Sequence, residues 1–302
     1  MSKSASVDLD SYRLAQYALQ VPCYICEQAN MFDAELCRHC FAPMALAQQA
    51  KNLKTEPSLI ATIGASGVGK TVYLGVLMDM LTRQSDMLQV LARGAFSINL
   101  QQTTTAALQR GEFPDKTPNE PDRWNWVHCQ IRSKKHSKPV ELVMPDMAGE
   151  ALLEEVDHPR TFQVVRSFLL KCSGAMVLID GAKLYGGTVE QDYFTMKLLS
   201  YLIELVEDPK HNWSKRPVAI VFSKADQCDE AFDDPNEYAR RHATGLWRFC
   251  EERFRNHRFF AACVAGACGF RDTAYDGRQT IPLRIEPRGL VEPFCWLIDQ
   301  IR

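Results

Sequence analysis

Eight consecutive residues, Gly64, Ala65, Ser66, Gly67, Val68, Gly69, Lys70 and Thr71, match the pattern G-x-x-x-x-G-K-[ST] in full. Residues of these types can hold a phosphate chain. Glycines let backbone N–H groups turn inward on an anion, the lysine reaches the β- and γ-phosphates, and the threonine hydroxyl coordinates Mg²⁺. Further along, Asp146, Gly149 and Glu150 stand in the run Asp-Met-Ala-Gly-Glu. A carboxylate there could complete the Mg²⁺ contact, and the glycine would let a backbone N–H approach a γ-phosphate. A separate chemistry is offered by Cys23, Cys26, Cys37 and Cys40, two C-x-x-C pairs that give four thiolates at the spacing of a tetrahedral Zn²⁺ site.

These residues act only if the chain places them. Residues 58–63 read as a short buried strand, and residues 72–83 read as a helix with Leu74, Leu77, Met80 and Leu81 on one face. Strand, glycine turn and helix in that order aim N–H groups and the positive helix end at a phosphate. A nucleotide is implied. Residues 126–132 alternate as a strand, 133–139 make a turn, and 140–144 return as the strand that carries Asp146 at its tip. The cysteine pairs sit in a segment too short to bury a core of its own, so metal binding would supply its folding energy. Neither pair opens a helix in a βαβ context, which argues against a redox pair. His39, between Cys37 and Cys40, reads as solvated.

The 302 residues are 46% hydrophobic and 24% charged, with a formal net charge of −2. That allows one large core plus a small appendage. There is no basic field for wholesale nucleic-acid binding. No apolar run reaches the roughly 20 residues of a membrane helix, and the polar start is no signal peptide, so a cytoplasmic protein is expected. Eleven cysteines, four of them in the two pairs, favour a metal site plus buried free thiols over disulfides.

The rest of the chain alternates. Residues 84–123 are mostly polar, with a helical tendency at 96–109 and a turn-rich loop at 110–118. A buried strand at 174–180 precedes a helix at 192–207. A second buried strand at 217–222 ends in Ser223, Lys224, Ala225 and Asp226, and a helix at 238–255 follows. A strand at 258–264 ends in a small-residue turn at 265–269, and a helix closes the chain at 289–301. This predicts an α/β fold, a doubly wound and mostly parallel sheet with an antiparallel hairpin edge. The expected organisation is a polar segment at 1–20 with a helical hint at 12–19, a zinc-ribbon-like module at 21–44, a linker at 45–56 and the main domain at 57–302.

In that order the motifs resemble the Ras-like P-loop GTPases of the translation-factor-related class, over about residues 57–302. The resemblance implies that Asp226 reads guanine by accepting from its N1–H and exocyclic amine, and that Lys224 lies over the base. Adenine would leave that carboxylate unpaired. Ser223 stands where the family usually has Asn or Thr. The family also requires a Mg²⁺-binding switch threonine between the first helix and the hairpin. Thr103, Thr104, Thr105 and Thr117 are candidates, and Thr117 is preferred for its Pro-flanked loop. Glu150 stands where many members have a water-orienting Gln, and a carboxylate near γ-phosphate charge implies slow hydrolysis. No arginine finger can be assigned from Arg110, Arg123, Arg160 or Arg166.

The long switch, the Glu150 variant and the four-Cys pair are similar to bacterial GTPases of signalling or conflict systems, the double-GTPase proteins. That likeness implies a GTP-binding, slowly hydrolysing switch that cycles between GTP and GDP. It would answer to protein partners, an activating protein among them, and use its zinc module to recognise one. Two other readings stay open: an ATP-driven P-loop NTPase, and a nucleic-acid-associated regulator, for which Tyr24, Arg38 and His39 are thin support.

Overall fold

The computed structural model describes residues 20–47, 56–83, 88–133, 139–205, 212–273 and 277–301. The helical hint at 12–19, most of the linker at 45–56 and the turn residues 134–138 lie outside the described residues. In chain order the strands are β1 (Gln20–Pro22), β2 (Ala29–Met31), β3 (Ser58–Ile63), β4 (Leu88–Arg93), β5 (Trp126–Ser133), β6 (Val140–Pro145), β7 (Gly174–Asp180), β8 (Val218–Ser223), β9 (His257–Ala261), β10 (Cys263–Thr273) and β11 (Gly277–Arg288). The helices are α1 (Lys70–Arg83), α2 (Gly94–Gln109), α3 (Gly149–Asp157), α4 (Gln163–Lys171), α5 (Gly181–Tyr185), α6 (Val189–Glu204), α7 (Glu230–Asp233), α8 (Pro235–His242), α9 (Thr244–Arg253) and α10 (Val291–Gln300).

Seven of the described strands form one sheet in the order β4-β5-β6-β3-β7-β8-β9. From β6 to β9 every pairing is parallel, while β5 runs antiparallel to both β6 and β4. Strands β7 and β8 are apolar at nearly every position because both of their faces are covered. One face holds Ile60, Met176, Leu178 and Val221 under α1, α2 and α10. The other holds Ile63, Val177, Ile179 and Phe222 under α3, α4, α6, α8 and α9. Chain order reverses around β3, which lies between β6 and β7, so a crevice opens at the carboxyl ends of these strands.

Three stretches differ from the sequence reading. The polar stretch at 84–123 contains β4, the edge strand of the sheet, whose side chains are mostly half-exposed, which blurs its alternation. The helix expected at 238–255 is two helices, because Ala243 leaves helical geometry at φ −139°. The small-residue turn expected at 265–269 is part of β10, which pairs antiparallel with β11 through several register shifts. Small side chains there suit a strand crowded by its neighbours rather than a reversal of direction.

Candidate functional site

The loop between β3 and α1 is shaped by its glycines. A Cβ on Gly64 would stand 2.3 Å from the Leu178 carbonyl oxygen, so a larger residue would push the loop off β7. Gly67 and Gly69 have φ of +75° and +92°, left-handed geometry that favours glycine, although a Cβ on either would meet nothing within 4 Å. Lys70, 7% exposed, donates from Nζ to the carbonyl oxygens of Gly64 at 2.9 Å and Ala65 at 3.0 Å. Burial draws its pKa down to about 8, against the opposing pull of Asp146 and Glu150. A buried ammonium bonded to two carbonyls is suited to an anion.

Above this loop three polar side chains meet. Thr71 Oγ1 lies 2.9 Å from Thr117 Oγ1, and Thr117 donates to Asp146 Oδ2 at 2.9 Å. Asp146 is fully buried, burial raises its pKa, and its Oδ1 has no hydrogen-bond partner among the described residues. An orphaned buried carboxylate oxygen beside two hydroxyls fits Mg²⁺, whose ligands are oxygens. The strand end fixes this aspartate through Asp146 N–H to Asn125 O at 2.8 Å. The loop fixes Thr117 through Trp124 Nε1, which donates to Pro118 O at 2.9 Å. Thr103, Thr104 and Thr105 lie on α2, and Thr104 is buried against Gly75.

Gly149 opens α3 so close to the loop that a Cβ would stand 2.3 Å from Ser66 N. Next to it, Glu150 accepts from the Ser66 hydroxyl at 2.5 Å and lies 3.9 Å from Lys116 Nζ. Burial pushes the Glu150 pKa up, but Ser66, the helix N–H, Lys116 and Lys70 more than offset it and the carboxyl lies below its ordinary value. It is therefore charged and compensated.

At the other end, Ser223 stands at the tip of β8 and its hydroxyl faces two carbonyls, Val68 O at 2.8 Å and Ile179 O at 3.0 Å. Lys224 adopts left-handed geometry at φ +56°, which turns its ammonium onto Asp180 Oδ2 at 2.6 Å. Asp226 sits in the 3₁₀ turn Ala225–Gln227, where burial raises its pKa. One cleft of ≈ 1650 Å³ joins the two ends: it is lined by residues 66–73, 113–117 and 148–150, by Asp180, Ser223, Lys224 and Asp226, and by parts of β10 and β11, while Asp146 lies buried behind Thr71 and Thr117. Ligand pockets run to roughly 1,000 Å³, so the space exceeds what a nucleoside triphosphate needs.

The cysteines form a second site. Sulfurs of Cys23, Cys26, Cys37 and Cys40 all lie within 4.8 Å of one another. Ile25 N–H points at Cys23 Sγ at 3.4 Å, while His39 N–H and Asn30 Nδ2 point at Cys37 Sγ at 3.4 and 3.3 Å. Cys40, 3.7 Å from Cys23, draws the Cys23 thiol down to about 5 while its own pKa rises, as two sulfurs sharing one proton must. The donor set, its mutual spacing and the N–H groups aimed at sulfur fit Zn²⁺. His39 is exposed and lies outside this set.

Residues 61–188, which include the phosphate loop, the Thr71–Thr117–Asp146 cluster and Glu150, match the family model described as Double-GTPase 1. That stretch is similar to the GTPase domain the family model describes. Among solved structures, the chain resembles a Plasmodium falciparum protein described as nucleolar GTP-binding protein 1, at 13% identity and a TM-score of 0.42, covering 81% of this chain and 86% of that one. It also resembles the signal recognition particle receptor SRb-GTP/SRX complex from Chaetomium thermophilum, at 16% identity and a TM-score of 0.40, covering 70% of this chain and 93% of that one. No curated protein matches the chain.

Some groups in this cleft are not singled out by the sequence. Asp180, 2% exposed, accepts from Lys183 N–H at 3.1 Å as well as from Lys224. Only its place at the end of an apolar strand hints at this. Lys116 and the β10–β11 hairpin carry no motif, and only the folded chain brings them to the cleft.

Proposed function

We propose that the protein is a guanine-nucleotide switch that binds Mg²⁺-GTP and hydrolyses it slowly. The observation that carries this reading is the Ser223 hydroxyl on Val68 O, which ties the candidate base reader to the phosphate loop within one cleft. Residues 64–71 would wrap the phosphates, with Lys70 exchanging its two carbonyls for β- and γ-oxygens. Thr71, Thr117 and Asp146 would hold Mg²⁺, which supplies charge neutralisation across the β- and γ-phosphates. Gly149 N–H would meet the γ-phosphate, and Glu150 would orient the attacking water. Asp226 would accept from guanine, with Lys224 over the base. Loss of the γ-phosphate would release Thr117 and α3, the two-state element that a protein partner reads.

The four thiolates would hold Zn²⁺ and stabilise a small surface, with Met31, Phe32 and Phe41 exposed, for recognition of a protein partner in the cytoplasm. No helix of the described residues is long and apolar enough to cross a membrane. Competition between GTP and ATP for the purified protein with Mg²⁺ tests the reading. Wild type should prefer GTP, and Asp226→Ala should lose at least about tenfold of that preference because the partner of the guanine donors is gone. Equal affinity for ATP in the wild type would replace this reading with an ATP-driven NTPase.

A further inference from the structure

Hydrolysis of GTP builds negative charge on the γ-phosphoryl oxygens and on the leaving oxygen, and catalysis in this chemistry is positioning plus charge stabilisation. The cations that line the cleft among the described residues are Lys70, Lys116, Lys183 and Lys224, and no arginine lines it. Two of these belong to the base end: Lys224 is held 2.6 Å from Asp180, and Lys183 follows Asp180 on α5. Lys70 lies beneath the phosphate loop on the carbonyls of Gly64 and Ala65. Lys116 remains.

We propose that Lys116 is a catalytic residue supplied in cis, a lysine that moves from Glu150 to the γ-phosphoryl group as GTP is cleaved. Its neighbour Thr117 is pinned 2.9 Å from both Thr71 Oγ1 and Asp146 Oδ2, so the backbone at 116 is fixed beside the metal-binding groups. Its ammonium lies 3.9 Å from Glu150 Oε1, and the same oxygen accepts from Ser66 of the phosphate loop at 2.5 Å. The exposed lysine is therefore parked over the loop by an ion pair that contributes little and is easily exchanged. In the reaction the water oxygen bonds to the γ-phosphorus. The bond from that phosphorus to the β–γ bridging oxygen breaks, its electron pair stays on GDP, and the water proton ends on the released phosphate. Lys116 meets the charge on the γ-oxygens, and Glu150, freed of it, faces the water.

This inference rests on the proposed GTP hydrolysis, and the experiment separates the two. Full-length wild type, Lys116→Ala and Lys116→Arg are compared for GDP affinity, for affinity toward GDP with aluminium fluoride, and for single-turnover GTP hydrolysis. GDP has no γ-phosphate, so its affinity should stay within about threefold in both variants. Lys116→Ala should slow hydrolysis by about 10- to 100-fold and weaken the aluminium fluoride complex by a similar factor, whereas Lys116→Arg should keep most of both. A wild-type rate in Lys116→Ala overturns the inference and leaves the switch intact. A loss that appears equally in GDP affinity overturns it too, by making Lys116 a structural residue. A wild type that hydrolyses no GTP removes the proposed function along with it.

Discussion

Ser223 is one hydroxyl facing two carbonyls, so a single proton is shared between the phosphate loop at Val68 and the neighbouring strand at Ile179. Removing it takes a donor away from both oxygens in a buried place, which costs about 1–2 kcal/mol. Ser223→Ala should therefore lower thermal stability slightly and weaken GTP binding about tenfold, while Ser223→Thr keeps the hydroxyl and most of the affinity. Calorimetric titration of the two variants reads this directly, and equal affinity in all three proteins would show that the base end and the phosphate loop are not linked through this atom. Residue types made part of this centre legible. Lys70, Thr71 and Asp146 stand in patterned runs, and Thr117 stands out by its Pro-flanked loop. Lys116 does not stand out, because nothing in a sequence says which way a lysine beside a threonine will point.

At the scale of elements, the start of α3 is pressed against the phosphate loop. A methyl group on Gly149 would stand 2.3 Å from the Ser66 nitrogen, and backbone cannot yield as a flexible side chain does. Gly149→Ala should keep helix content, since alanine suits a helix, yet move α3 or the loop and cut GTP affinity by tenfold or more. Circular dichroism together with nucleotide titration checks both halves; unaltered affinity would mean the two elements can part without consequence. Strand, loop and α1 were readable because their signals are local: an apolar run, glycines at fixed offsets, a helical stripe. β4 was not, since an edge strand with half-exposed side chains lacks clean alternation. β10 was not either. Its strand character depends on β11 lying alongside, and Ala265, Gly266 and Ala267 by themselves look like a reversal.

Across the whole molecule, the four-thiolate segment is not a free appendage. Val21, Ile25 and Met44 share an apolar layer with Trp124, Trp126 and Phe168. Tyr24 meets Trp126 edge-on at 6.3 Å, Trp126 meets Phe168 at 5.9 Å, and Lys171 bonds Glu27 at 2.5 Å. Sequence reasoning predicts that stripping metal unfolds residues 23–40 and spares the rest, because it sees the spacing of cysteines but not what they lean on. With the layer shared, a strong chelator should shift Trp emission and lower the melting temperature of the main domain by several degrees. An unshifted main transition would show that the two parts stand alone. Across the cleft, the β10–β11 hairpin and the loop that carries Thr117 are bridged by Arg271 and Glu112 at 3.6 Å, an exposed pair worth under about 1 kcal/mol. So light a latch parts at thermal cost and loosens further as ionic strength rises. If the proposed switch holds, this pair would do little to keep a nucleotide in the cleft, and the nucleotide's hold would rest on the phosphate loop and the base end.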